Sequence, residues 1–117
     1  MLKVMHLKVN RDVVAINETA SKALFNLQIG PNGDIIRSVL RGQVRGLTYE
    51  FVAIVDSDQL ETAFHLTNSI DDYWGNNEGV TEMGSRHRST SIGDLVVDTE
   101  TGKTFVVANF GFEEVGV

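Results

Sequence analysis

The chain contains no cysteine. That absence removes disulfides, thiolate nucleophiles and cysteine-based zinc sites together. Nor does any apolar run approach the roughly 18 residues that a membrane-spanning helix needs. Residues 1–8 do not read as a signal peptide, because Lys3, His6 and Lys8 break a run that is already too short. Positive charge is scarce as well: 10 Lys and Arg stand against 16 Asp and Glu, for a net charge of −6. A free-standing duplex-DNA binder draws most of its affinity from cationic contacts to phosphate, so duplex DNA is not an expected partner. The usual catalytic signatures are missing too. There is no Gly-x-Ser-x-Gly elbow and no glycine-rich phosphate loop followed by Lys. His6, His65 and His87 are far apart in sequence, and no spaced Asp-Asn-Asp-Gly loop ends in Glu. The adjacent Asp71 and Asp72 could meet a hard cation, but such a pair is generic. No catalytic residues, no metal site and no cofactor are therefore expected, and the chain does not read as an enzyme.

What remains suits a single domain over residues 1–117. Hydrophobic residues make up 42% and charged residues 22% of the chain, which is enough for a core and ordinary for a globular surface. Leu2–Val9 alternates loosely and predicts a first strand, continued by the β-prone run Val13 to Ile16. Residues 17–45 admit two readings. Asn17 could cap a helix, yet Ala23, Phe25, Leu27 and Ile29 recur with period two. Gly30-Pro31-Asn32-Gly33 is a strong turn signal. The alternation predicts a hairpin returning over residues 35–44, and the competing reading makes residues 34–41 a short helix ended by Gly42. Leu47–Val55 is the strongest strand, with Leu47, Tyr49, Phe51, Ala53 and Val55 on one face and a second half buried on both sides.

A main helix is expected over residues 57–70. Leu60, Ala63, Phe64 and Thr67 fall on one face, Ile70 extends the stripe, and Asp56 and Gln59 have capping-box spacing. Residues 94–98 and 103–109 form a C-terminal hairpin turning at Gly102. Phe110-Gly111-Phe112 then extends the core, and Glu113-Glu114 is a solvated end. The fold class is α+β: an antiparallel or mixed sheet packed on one main helix at 57–70, with the hairpin at 94–109. A swapped or paired strand edge would give a small homo-oligomer.

Chemistry concentrates in Arg86-His87-Arg88-Ser89-Thr90-Ser91-Ile92-Gly93-Asp94, at the exit of a long irregular stretch, residues 73–91. Two guanidiniums offer forked donors, and three hydroxyls add hydrogen bonds, so this loop could grip a small anion, a nucleotide or an acidic partner surface. The structural alternative uses the same residues differently. The hydroxyls turn the backbone into the strand, Arg88 pairs with a nearby Asp, and Gly93 takes a conformation closed to other residues. A nucleophilic arrangement would need His87 and Asp94 near Ser89 or Ser91. Tyr73 and Trp74 carry the same ambiguity. They could anchor an interface, or Trp74 could fold back over the core. The candidate binding residues are thus Arg86, Arg88, Ser89, Ser91 and Trp74, with Arg86 and Arg88 the two lacking an evident backbone duty.

Residues 58–112 resemble a family of small proteins found on phages and other mobile elements. The resemblance is carried by Leu66-Thr67-Asn68-Ser69-Ile70-Asp71, by Trp74 with Asn77 and Gly79-Val80, by Arg88-Ser89-Thr90-Ser91-Ile92-Gly93-Asp94, and by Gly111-Phe112. It covers about half of the chain. The family is functionally uncharacterised, so the resemblance implies a mobile-element origin and no catalytic residues. Acidic charge, the irregular loop 73–91 and the resemblance together set a first expectation, a non-enzymatic binding protein acting on a host protein in the host cytoplasm; Arg86, Arg88 and Ser89 to Ser91 set a second, a binder of a nucleotide or small anion; a minor virion component is the third.

Overall fold

A computed structural model describes residues 1–69 and 72–117. Its frame is a six-stranded sheet in the order β3-β2-β1-β4-β5-β6, with every neighbouring pair antiparallel. The strands are β1 (Leu2–Val9), β2 (Leu47–Val55), β3 (Val80–Glu82), β4 (Leu95–Asp98), β5 (Thr104–Ala108) and β6 (Gly111–Val115). Among the described residues, four α-helices, α1 (Arg11–Ala15), α2 (Glu18–Ile29), α3 (Gly33–Leu40) and α4 (Leu60–Leu66), and one 3-10 turn at Trp74–Asn76 accompany them. The α+β class and the antiparallel sheet are as the sequence predicts. Among the described residues no helix is long and apolar enough to cross a membrane.

The sheet is covered on both faces, because its strands send alternate residues to two cores. Leu7, Leu47, Leu95 and Val106 pack with Val14, Ala20, Ala23, Leu27, Ile36 and Val39 from α1–α3. Leu2, Val4, Val52, Val55 and Val96 pack with Ala63 of α4 and with Trp74 on the opposite face. The expected single face of β2 does not exist. Val4 pairs with Ala53 but Met5 with Phe51, so Val52 is an extra residue in a bulge. The bulge turns Val52 and Ala53 into the same core, so Leu47 and Tyr49 face α1–α3 whereas Ala53 and Val55 face α4.

Residues 11–40 depart most from expectation: no hairpin forms there, and three helices do. Val13 to Ile16, expected as strand, belongs to α1 and its C-terminal cap, with the Asn10 side chain accepting from Val13 N. In α2 the period-two reading fails against Ala20, Ala23 and Leu27, which are buried at helical spacing, while Phe25 and Ile29 are exposed. Local chemistry sides with the helix. The Asn17 side chain accepts from Ala20 N at 3.0 Å, and the β-branched Thr19 and Ile29 lie at the ends. The Pro31-Asn32-Gly33 turn starts a helix, since Asn32 caps α3 by accepting from Asp34 N at 2.8 Å. The short-helix alternative for 34–41 is therefore the correct one, and Gly42 follows it at φ +72°.

The main helix is shorter than the predicted 57–70. No capping box forms, and the Ser57 hydroxyl instead accepts from Gln59 N at 3.0 Å. At the other end, Thr67 Oγ1 donates back to the Ala63 carbonyl at 2.7 Å, and Asn68 donates to that of Phe64. Such local bonds compete with helix propagation. Ala63 and Thr67 are buried as expected. Ile70 and Asp71, placed by sequence on the stripe and in a cation-binding pair, lie outside the described residues. The C-terminal hairpin forms with Gly102 at φ +75°. Glu113-Glu114 is not a loose end, however, but part of a third strand, and Phe110 does not extend the core, being 99% exposed.

Gly93 sits at φ +94°, and a Cβ there would lie 2.7 Å from the Leu27 carbonyl oxygen. Gly93→Ala is expected to cost about 2–4 kcal/mol, combining left-handed strain with a backbone clash. Urea unfolding measures it, and an effect below about 0.5 kcal/mol would refute the close packing of this turn on α2.

Candidate functional site

Strand β3 lies at one sheet edge, whereas β4 lies beside β1 on the far side of β2. The connecting loop, residues 83–94, must therefore cross β2 and β1, and its side chains are spent on that crossing. Strand β1 pairs with β4 only as far as Met5 opposite Leu95. The next inward backbone groups, the N–H and C=O of buried Leu7, would be left unpaired at considerable cost. Asp94 and Arg88 fill the gap. Asp94 Oδ1 accepts from Leu7 N at 2.7 Å, and Arg88 Nη2 donates to Leu7 O at 2.9 Å. Arg88 also grips Asp94 in fork geometry, with Nη1 to Oδ2 at 2.6 Å and Nη2 to Oδ1 at 2.8 Å. Ser91 N adds a further bond to Oδ2 at 2.8 Å. The Asp94 carboxylate is wholly buried. Hydrogen bonding to it raises the Arg88 guanidinium above its ordinary value.

A second chain of bonds runs beneath. His6 Nε2 lies 2.8 Å from Thr90 Oγ1, which is 2.8 Å from Thr67 Oγ1, which donates to the Ala63 carbonyl. The carbonyl can only accept. Each hydroxyl is thereby oriented toward it, and His6 donates from Nε2. Burial pushes His6 down to about 4, against a weaker opposing pull from Asp94. The loop is further fastened by Trp74, which is completely buried and whose Nε1 donates to the carbonyls of His87 and Arg88. His87 stacks on Trp74 with ring centroids 6.4 Å apart. It reaches Glu50 of β2 through Nδ1 at 3.2 Å and the Met83 carbonyl through Nε2 at 2.7 Å.

The structural alternative thus holds for most of the predicted site. Arg88 is the partner of Asp94. Ser89 Oγ accepts from Ser69 N at 2.9 Å, and Ser91 turns the backbone toward Asp94. Trp74 is core rather than an exposed anchor. The nucleophilic arrangement does not assemble, because His87 faces Glu50 while Asp94 is held by Arg88. Arg86 holds its guanidinium 3.9 Å above the Tyr73 ring, and Arg88, although paired with Asp94, stays 46% exposed. Burial and a hydrogen bond given to Glu82 raise the Tyr73 hydroxyl. His6, Lys8, Glu50, Arg86, His87 and Arg88 border a polar cleft of about 360 Å³, with Ser85 at its rim. Its cations are largely answered within the chain, with Lys8 3.2 Å from Glu50. Among the described residues no buried side-chain nitrogen or oxygen lacks a partner.

Sequence reasoning passed over a different surface. A groove of about 530 Å³ lies between α4 and the β5–β6 hairpin, walled by Phe64, Ile92, Val107 and Phe112. Phe64 and Phe112 meet edge to face at 6.4 Å. Beside it, Asn109 Nδ2 donates to the Ile29 carbonyl at 2.6 Å, fixing the turn that presents Phe110 to solvent. The one local signal was an aromatic in a two-residue turn, where polar residues are usual. Compared with known proteins, the chain matches no family model, no curated protein and no solved structure.

Asp94→Ala is expected to destabilise the fold by about 3–5 kcal/mol, and Arg88→Ala by about 3 kcal/mol. Arg88→Lys should rescue little, since Lys lacks the fork. Chemical denaturation decides the matter, and a fully stable Arg88→Lys variant would contradict the pairing role. His6 adds a pH dependence. Its folded value near 4 lies below the ordinary 6.5, so the unfolded chain binds the proton first. The stability from neutral His6 is complete above pH 6.5 and lost as pH falls toward 4, on the order of 3 kcal/mol. His6→Gln, which keeps a donor for Thr90, should flatten that part of the stability–pH curve.

Proposed function

We propose that the chain is a non-enzymatic binding protein of a phage or mobile element that engages a host protein. The observation that carries this reading is Phe110, 99% exposed on an anchored turn whose flanking residues, Asn109 and Gly111, border an apolar groove lined by two other phenylalanines. A lone exposed apolar residue needs no explanation, but an aromatic held rigidly next to an apolar recess has the make-up of an interface hot spot. Anchoring by Asn109 lowers the ordering cost of binding. Two further points support a binding role over a catalytic one. The imidazoles of His6 and His87 are committed to internal partners, and Arg88 is committed to Asp94. The mobile-element origin rests on the sequence resemblance over residues 58–112. The small-anion reading keeps Arg86 and Ser85 at the polar cleft, where Arg88 also lies, but the Arg88 guanidinium is already paired with Asp94.

Photo-crosslinking in the cells that carry the gene tests this proposal. A benzophenone side chain at Phe110 is expected to give a discrete adduct with a cellular protein, whereas the same group at the exposed Lys103 gives none. Phe110→Ser should alter stability by less than about 0.5 kcal/mol, being a surface change, while abolishing recovery of that protein. Equal labelling from both positions would remove the basis for the reading.

A further inference from the structure

Strand β6 is the last in the sheet, and its backbone bonds on one side only, to β5. Which of its groups face outward follows from β5. Val107 donates its N–H to the Asp94 carbonyl and accepts at its C=O from Gly93 N, both at 2.9 Å, so both groups point toward β4. In an antiparallel ladder the groups of Val106 and Ala108 then point toward β6, where they meet Glu113 and Gly111. By alternation, the N–H and C=O of Phe112 and Glu114 face the open edge. Phe112 opposite Val107 also forms the wall of the apolar groove. Free backbone donors and acceptors and an apolar recess therefore lie side by side.

We propose that this edge accepts an extended, cationic segment of a protein partner as a seventh strand, with one apolar side chain of that segment seated in the groove. The inference rests on the protein-binding reading above and specifies its geometry and partner chemistry. Charge complementarity identifies the occupant. Glu113 and Glu114 are exposed on the strand, Glu61 borders the groove, and no Lys or Arg lines it. The chain carries −6 overall. A segment alternating Lys or Arg with apolar residues sets its cations on the face of Glu113 while an apolar residue enters the groove on the face of Phe112. A second copy of this chain does neither. Antiparallel pairing centred on Glu113 or on Glu114 sets that glutamate against itself, where like charges repel. Pairing centred on Phe112 brings Glu114 opposite Phe110, which lies in the turn beyond the strand.

Amide NMR of the full chain, titrated with a short synthetic peptide alternating lysine with valine and leucine, provides the test. The Phe112 and Glu114 N–H signals are expected to shift and gain protection from exchange. A glutamate-for-lysine version of the peptide should bind at least about tenfold more weakly, as should one N-methylated on its edge-facing amides. Glu114→Pro deletes an outward N–H without touching a β5 bond, because proline is tolerated on an edge strand. It should weaken binding by a similar factor. The paired change Glu113→Lys and Glu114→Lys alters charge without altering backbone, and it should also abolish lysine-peptide binding. Undiminished binding by the N-methylated peptide or by Glu114→Pro would overturn strand addition. A concentration-dependent dimer abolished by Glu114→Pro would assign the edge to a second copy instead. If the Phe110 adduct forms while the peptide leaves Phe112 and Glu114 unmoved, strand addition fails and protein binding stands. If neither occurs, both fail.

Discussion

The buried carboxylate of Asp94 is the interaction on which the rest of this structure depends. Where β4 stops following β1, the backbone of Leu7 would be abandoned inside the protein, and Asp94 with Arg88 takes the place of the missing strand residue. A buried charge is costly unless paired and fully hydrogen-bonded. Here the forked guanidinium, Leu7 N and Ser91 N meet that condition. The pair therefore fixes the point at which the loop leaving β3 comes to rest, and with it the start of the β4–β5–β6 hairpins.

The crossing loop also links the two faces. It is tied to β2 through His87 and Glu50, to β1 through Arg88 and Leu7, and to α4 through Thr90 and Thr67. Tyr49 donates to the Gly93 carbonyl at 2.8 Å from the opposite core, and burial raises that hydroxyl well above its ordinary value. A cluster that looks like a ligand site in sequence is, in space, a clasp. Residues of the sequence pattern over 66–94 bond largely to one another: Thr67 with Thr90, Ser69 with Ser89, Trp74 with Arg88, and Arg88 with Asp94. The pattern thus describes how the fold is closed, and the proposed partner surface lies elsewhere, around Phe110 and β6.

Strands were legible in sequence where alternation and burial agree, as in Leu2–Val9 and the hairpin closed by Gly102. Helix α2 was not, because Phe25 and Ile29 are apolar yet exposed, so the apolar pattern misstates the buried face. Asn17 and Asn32 were the better guides, since a capping side chain acts locally and owes nothing to tertiary contacts. The bulge at Val52 was equally hidden. An extra residue leaves the apolar run intact while reversing which core it serves.

Composition and local pattern determined, by themselves, that this chain builds an α+β domain without cysteine chemistry, and that Gly93 and Gly102 sit where other residues strain. Those are properties of single residues and short windows. Only the tertiary structure decided what Arg88 is for. The partners of Arg88, Leu7 and Asp94, meet because a loop has to pass over two strands, and a separation of 81 residues between Arg88 and Leu7 carries no local signal. The same holds for Phe110 and the open edge of β6, whose exposure follows from where the sheet ends.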